Sequence, residues 1–112
     1  MKNLLVAFAL LFIGNSFAQE LKKVEEVVIQ TSAECNDCKV RLEDKLNYTK
    51  GIRFADLDIP SMKLTVSYTT KKIDLATIKQ IISELGYDAD DVKANPTAQK
   101  ALPACCQPHG HK

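Results

Sequence analysis

The sequence of 112 residues contains no tryptophan, and aromatic residues make up only 6% of it. A hydrophobic core therefore has to be built mainly from valine, isoleucine and leucine, and it can be only of modest size. The sequence also lacks an excess of charge, with 15 basic and 14 acidic residues. A chain this close to neutrality has no bulk electrostatic attraction to nucleic acids or anionic membranes, so we expect neither as a partner.

The sequence has no apolar run of the about 20 residues that a membrane span needs. Its apolar run Leu4–Ile13 follows the charge of Lys2 and precedes small residues within residues 16–18. This order is typical of a secretory signal peptide. We predict that residues 1–18 are cleaved and that the mature chain begins at Gln19 without a membrane anchor. This predicts a periplasmic or secreted location.

Hydrophobic periodicity predicts six elements in the order βαββαβ. Each half is a strand–helix–strand crossover, which favours a ferredoxin-like α+β fold with a four-stranded antiparallel sheet and both helices on one face. We assign this fold to a domain over residues 19–93. The predicted strands are residues 24–31, 52–59, 62–68 and 87–93, and the two helices end at Gly51 and Gly86.

Two local features refine these elements. Asn36 or Asp37 can cap the first helix, because their side-chain oxygens accept bonds from unpaired backbone N–H groups. Ile52 is out of phase with the alternation of the second strand, which predicts a β-bulge near Arg53 and Phe54.

Two cysteines, Cys35 and Cys38, stand between the first strand and the first helix. A helix N-terminus stabilises a thiolate there, and soft thiolates select Cu(I), Zn(II) and related ions. The loop position is expected to keep both sulfurs near the surface, where a partner can exchange ligands with them.

Two other interpretations of this pair remain open. A disulfide between Cys35 and Cys38 closes a very small loop and stabilises little. A thiol–disulfide oxidoreductase also uses two cysteines at a helix start. Against that enzyme, the chain is short and no aromatic residue directly precedes Cys35.

The sequence resembles the heavy-metal-associated domain family over residues 24–93. The resemblance lies in the Cys-x-x-Cys motif of Cys35 and Cys38 after the first strand, in residues 50–52 and in residues 85–89. It implies that both cysteines bind the metal and that Tyr87 approaches the metal loop. Ala33 stands where the family usually has a methionine packed beneath that loop.

The resemblance also implies a function without catalysis. We expect an exported, monomeric protein that binds a soft ion, Cu(I) first and Hg(II) or Zn(II) as alternatives. A Cu(I) chaperone or scavenger passes its ion to a metal-transporting ATPase or to another thiol-bearing acceptor. A mercuric-ion binding protein is the alternative within the same class.

The C-terminal residues 94–112 are predicted to form a flexible tail with a short helical turn. The tail concentrates the remaining ligand-type side chains of the chain: Cys105, Cys106, His109 and His111. Thiolate and imidazole are strong ligands for copper, zinc and nickel. These four residues are therefore candidate accessory metal ligands, which either bind an ion alone or bring sulfurs to the first site.

Overall fold

The computed structural model describes residues 23–107. The predicted signal peptide, residues 1–18, lies outside this range. No helix within the described range is long and apolar enough to cross a bilayer. The described elements are β1 Val24–Gln30, α1 Asn36–Asn47, β2 Ile52–Asp58, β3 Lys63–Thr69, α2 Leu75–Leu85, α3 Pro96–Ala101 and a 3₁₀ turn Ala104–Cys106.

The core lies between an antiparallel sheet and two helices. The strand order is β1-β3-β2, and Ile29, Leu64 and Leu57 stand opposite one another across it. All three are almost completely buried, because α1 and α2 turn their own apolar faces toward this side of the sheet. The buried helix residues that complete this core are Leu42, Leu46, Ile78 and Ile82.

Several local predictions are confirmed. The register of β2 against β3 shifts between Ile52 and Phe54, where the bulge was expected. Gly51 and Gly86 have φ angles of 97° and 107°. Such left-handed conformations cost little energy only for glycine. Gly86 is the C-cap of α2, as predicted. The helix α1 instead ends at Asn47 with Tyr48 as its C-cap, and Gly51 lies in the turn beyond it.

The prediction of a fourth strand at residues 87–93 is wrong, since the described sheet has three strands. Only Ala89 forms an isolated bridge to Thr31 beside β1. Asp90 then adopts a φ of 53°, a left-handed conformation that aspartate tolerates, and the chain reverses. Ala89 and Val92 exchange two backbone hydrogen bonds of 2.9 Å across this turn. Asp90 bonds to Gln30 at the end of β1, with its N–H on the Gln30 carbonyl at 2.8 Å and its Oδ1 accepting from the Gln30 N–H at 2.9 Å. The reversal prevents further pairing, so the segment does not extend the sheet.

The helix α1 is fastened to β2 by side chains. Glu43 Oε2 accepts a hydrogen bond of 2.8 Å from the backbone N–H of Leu57, and Asn47 Oδ1 accepts one of 3.0 Å from Ala55. Lys39 Nζ in turn donates to Glu43 Oε2 at 2.6 Å. These contacts fix the position of α1, and with it the position of the residues at its N-terminus.

The described part of the C-terminal segment packs against the domain, although the sequence predicts a flexible tail. Ser83 on α2 holds its start, because the Ser83 hydroxyl donates to the Lys93 carbonyl at 2.7 Å and the Ser83 carbonyl accepts from the Asn95 N–H at 2.9 Å. Asn95 then caps α3 by accepting a bond from the N–H of Ala98. Leu102, after this helix, is buried in the core.

Candidate functional site

The loop between β1 and α1 is held by a dense set of hydrogen bonds. Thr31 donates to the Met62 carbonyl from its backbone N–H at 3.0 Å and from its hydroxyl at 2.8 Å. The same hydroxyl accepts a bond of 3.1 Å from the N–H of Ala33. Ser32 Oγ accepts another of 2.9 Å from Asp88. Ala33 itself is completely buried beneath this loop, at the position where the resemblance places a methionine.

The two cysteines of the motif lie at the N-terminus of α1. Cys35 occupies the N-cap position of α1, so the predicted caps Asn36 and Asp37 lie one and two residues inside the helix. Cys38 stands in the first helical turn, and its sulfur is 3.0 Å from that of Cys35. Both cysteines are free thiols.

The surroundings of Cys35 lower the pKa of its thiol. Burial opposes its ionisation, but hydrogen bonds from the thiol and the backbone N–H of Cys38, and from the thiols of Cys106 and Cys105, lower the pKa of Cys35 to about 7. A thiolate is the nucleophile and the metal ligand of a cysteine. Cys35 is therefore prepared to bind an electrophilic ion near neutral pH.

The C-terminal cysteines reach the same place. The sulfur of Cys35 lies 3.3 Å from that of Cys106 and 3.6 Å from that of Cys105. The sulfurs of Cys105 and Cys106 are 3.9 Å apart. The structure thus brings together all four cysteines that the sequence singles out as ligand candidates.

The sulfurs are more buried than their position in the loop predicts. Only 9% of Cys35, 2% of Cys106 and none of Cys38 is exposed. The expectation of two surface sulfurs is wrong because the 3₁₀ turn Ala104–Cys106 packs against the start of α1 and covers them. Cys105 is the partly exposed member of the cluster.

The pKa values of the two C-terminal thiols are raised, whereas that of Cys35 is lowered. Burial, with hydrogen bonds to the sulfurs of Cys38 and Cys35, raises the pKa of Cys106. Cys105 contacts the sulfur of Cys35 and donates to Asp37 Oδ2 at 3.4 Å, and these two contacts raise its pKa. The sequence contains no signal for the contact with Asp37, which it predicts only as a helix cap.

Tyr87 lies inside the domain next to the cluster. Its side chain is completely buried, and burial, with the neighbouring sulfurs of Cys38 and Cys106, raises its pKa. Among the described residues its hydroxyl has no hydrogen-bond partner of standard geometry. The other two ligand candidates of the tail, His109 and His111, lie outside the described residues.

The arrangement is suited to binding a soft ion. The ligand atoms of Cys35, Cys105 and Cys106 all lie within 4.8 Å of one another. Cys38 adds a fourth sulfur beside Cys35. Thiolates are the ligands that copper(I), zinc and other soft ions prefer.

Comparison with known proteins agrees with this chemistry. The sequence model of the heavy-metal-associated domain matches residues 31–88, a range that includes Cys35, Cys38 and Tyr87 and ends before the C-terminal cysteines. The chain is 28% identical over 64 residues to the copper chaperone CopZ of Staphylococcus aureus, which covers 57% of this chain and 94% of CopZ.

Two further similarities are to zinc transporters. A zinc-transporting ATPase of Synechocystis is 33% identical over 64 residues, which are 57% of this chain but 9% of the ATPase. The chain thus spans less than a tenth of that relative. The solved N-terminal domain of the zinc(II) ATPase ziaa, in its apo form, superposes with a TM-score of 0.53 and 29% identity, covering 80% of this chain and 81% of that domain.

Proposed function

The chain belongs to the heavy-metal-associated domain family, and from this premise we propose that it binds Cu(I) as cargo through Cys35 and Cys38. The observation that carries the proposal is the pair of free sulfurs 3.0 Å apart at the start of α1. Two soft thiolates at such a place suit an ion of low coordination number. The similarity to CopZ over nearly its whole length supports copper as the cargo.

The proposed transfer is a ligand exchange without catalysis. A thiol of the acceptor loses its proton and binds the ion as one bond between the ion and a cysteine of this chain breaks. A second acceptor thiol replaces the second cysteine in the same way, and the two released cysteines take up the protons. The acidic thiol of Cys35 is available as a thiolate near neutral pH. We propose a metal-transporting ATPase as the acceptor and an exported location for the protein, on the strength of its N-terminal sequence.

Cu(I) titration against a chromogenic chelator tests the proposal. The reduced protein is expected to take up Cu(I) tightly, and the double variant Cys35→Ser/Cys38→Ser is expected to lose that tight site. The double variant Cys105→Ser/Cys106→Ser removes the same number of thiols and is the matched control, which should still bind. Retention of tight binding without Cys35 and Cys38 would refute the proposal.

The same protein samples discriminate the other candidates. Parallel titrations with Hg(II) and Zn(II) establish whether either ion displaces Cu(I) at equal concentration. If one does, that ion replaces Cu(I) as the proposed cargo. A thiol–disulfide oxidoreductase would instead reduce insulin disulfides at a rate that depends on Cys35. We expect the protein to reduce insulin disulfides no faster than a simple free thiol does.

A further inference from the structure

We propose that Cys105 and Cys106 form an internal thiol cap, which joins Cys35 and Cys38 in holding the ion and retains it until the cap moves away. This inference rests on the proposed function, because it concerns the same site. The cap is defined as residues 103–107, which contain the 3₁₀ turn Ala104–Cys106. The matched family range, residues 31–88, does not include it.

The distances between the sulfurs fit a shared ion. Two thiolates that each bind a metal at about 2.3 Å lie about 3.8 Å apart when the arrangement is tetrahedral. Cys35 is 3.3 Å from Cys106 and 3.6 Å from Cys105, and the latter two are 3.9 Å apart. Side-chain rotations that move the sulfurs by less than about one ångström therefore complete a three-sulfur set.

The cap is held in place by the fold. Gln107 Nε2 donates to the carbonyls of Leu102 at 3.0 Å and Lys100 at 3.2 Å, which closes the segment on itself. The N–H of Cys106 bonds to the Pro103 carbonyl at 2.8 Å. Leu102 anchors the near end in the core. The two thiols are thus presented to Cys35 in a defined position rather than on a free chain end.

A buried hydroxyl points to the same ligand set. The Tyr87 hydroxyl has no partner among the described residues, and its neighbours are one sulfur from each part of the cluster, Cys38 and Cys106. A buried polar group without a hydrogen bond costs free energy. Metal-bound thiolates are better acceptors than neutral thiols, so an ion shared by these sulfurs would give the Tyr87 hydroxyl the partner it lacks.

The cap has a kinetic consequence for transfer. A ligand tethered to the same molecule acts at an effective concentration of about millimolar or more, and linkage of this kind raises the overall affinity by about 10²–10⁴-fold. An acceptor protein at micromolar concentration competes poorly with such thiols. The acceptor therefore has to displace the cap, and the protein acts as a retaining store for its ion rather than as an open carrier.

Release kinetics of the Cu(I)-loaded, reduced protein test the cap. The Cys105→Ser/Cys106→Ser variant is expected to lose Cu(I) to excess chelator about 10²-fold faster than the unmodified protein. X-ray absorption at the copper edge should count at least three sulfur neighbours in the unmodified protein and two in the variant. Gln107→Ala keeps all four thiols but loosens the cap, and it should release Cu(I) at an intermediate rate.

The outcomes separate the two proposals. Equal release rates and two sulfur neighbours in both proteins would overturn the cap while leaving the Cys35–Cys38 site intact. Both proposals are supported if the unmodified protein and the cap variant Cys105→Ser/Cys106→Ser bind Cu(I), Cys35→Ser/Cys38→Ser does not, and the cap variant releases Cu(I) faster than the unmodified protein. Failure of the unmodified protein to bind Cu(I) would overturn the proposed function and the cap with it.

Discussion

The sulfur of Cys106 lies 3.3 Å from the sulfur of Cys35, although 71 positions separate the two residues in the sequence. Cys35 owes its position to the start of α1, and Cys106 owes its position to a segment that follows the matched family range. The site therefore depends on two independently anchored parts of the chain.

Gly86→Ala should loosen the C-terminal segment. The new Cβ would lie 3.0 Å from the carbonyl oxygen of Ala98, and the φ of 107° is strained for alanine. We expect a loss of about 1–3 kcal/mol in the free energy of unfolding and faster alkylation of Cys106.

Gly51→Ala is the matched control for this change, since its φ of 97° imposes similar strain and its Cβ would meet Ile73, away from the tail. It should lower stability comparably but leave Cys106 protected. Denaturant unfolding and mass spectrometry of alkylated peptides measure both effects. Equal exposure of Cys106 in the two variants would show that Gly86 has no special role in holding the segment.

Glu43→Ala should weaken the attachment of α1 to β2. The carboxylate accepts from the Leu57 N–H and from Lys39, and its side chain is only 22% exposed. Hydrogen bonds to charged groups contribute about 1.5–3 kcal/mol, so we expect a loss of that size in urea unfolding. Glu84→Ala, on the exposed face of α2, should cost much less. A similar cost for the two variants would contradict the anchoring role of Glu43.

Tyr87→Phe should leave the metal-free protein as stable as before, or slightly more stable. The hydroxyl that it removes is buried without a partner among the described residues. Tyr68→Phe is the control, because the Tyr68 hydroxyl donates to Glu25 Oε2 at 3.2 Å and its loss should cost about 0.5–1.5 kcal/mol. Thermal unfolding of both reduced proteins makes the comparison. A larger cost for Tyr87→Phe would mean that its hydroxyl has a partner in the metal-free state.

Asp74 should make stability depend on pH at the acidic end. Its carboxylate accepts from the Thr77 N–H at 2.8 Å at the start of α2, and hydrogen bonds from Thr77 lower its pKa. A carboxyl whose folded pKa is below the unfolded value of about 3.9 stabilises the fold above that value and loses this contribution as the pH falls.

Asp74→Asn keeps the cap but does not titrate, so it isolates this effect. The stability advantage of the unmodified protein over the variant should shrink between about pH 5 and pH 3. Urea unfolding of both proteins across that range measures the difference, and carboxyls elsewhere cancel because the two proteins share them. A difference that stays constant with pH would exclude Asp74 as the titrating group.

The predictable parts of the fold are those that local chemistry determines. The stop at Gly86, the left-handed turn at Gly51 and the bulge near Phe54 follow from backbone sterics and the period of the strand, and all three occur. The strand expected at residues 87–93 does not form, because the reversal at Asp90 and the bonds of Asp90 to Gln30 depend on neighbours that the local pattern does not contain.

The sequence predicts which residues are candidate ligands, but it does not predict that all four cysteines meet at one place. Spacing and context singled out Cys35 and Cys38, and composition singled out Cys105 and Cys106. Their convergence depends on tertiary contacts such as those of Ser83 with residues 93–95 and of Leu102 with the core. Segments rich in alanine, proline and lysine give no periodic signal for such docking, so the sequence predicts a flexible tail where the described residues 94–107 pack against the domain.

The contacts of Glu43 and Asn47 have a consequence for self-association. An outer strand with free N–H groups can template a strand from another molecule, which is a common start of aggregation. In β2 the N–H groups of Leu57 and Ala55 are already bonded to these two side chains of α1. Another chain could add to this edge only after breaking both bonds. The same contacts that position the thiols therefore also protect a concentrated solution of the protein from strand-by-strand polymerisation at β2.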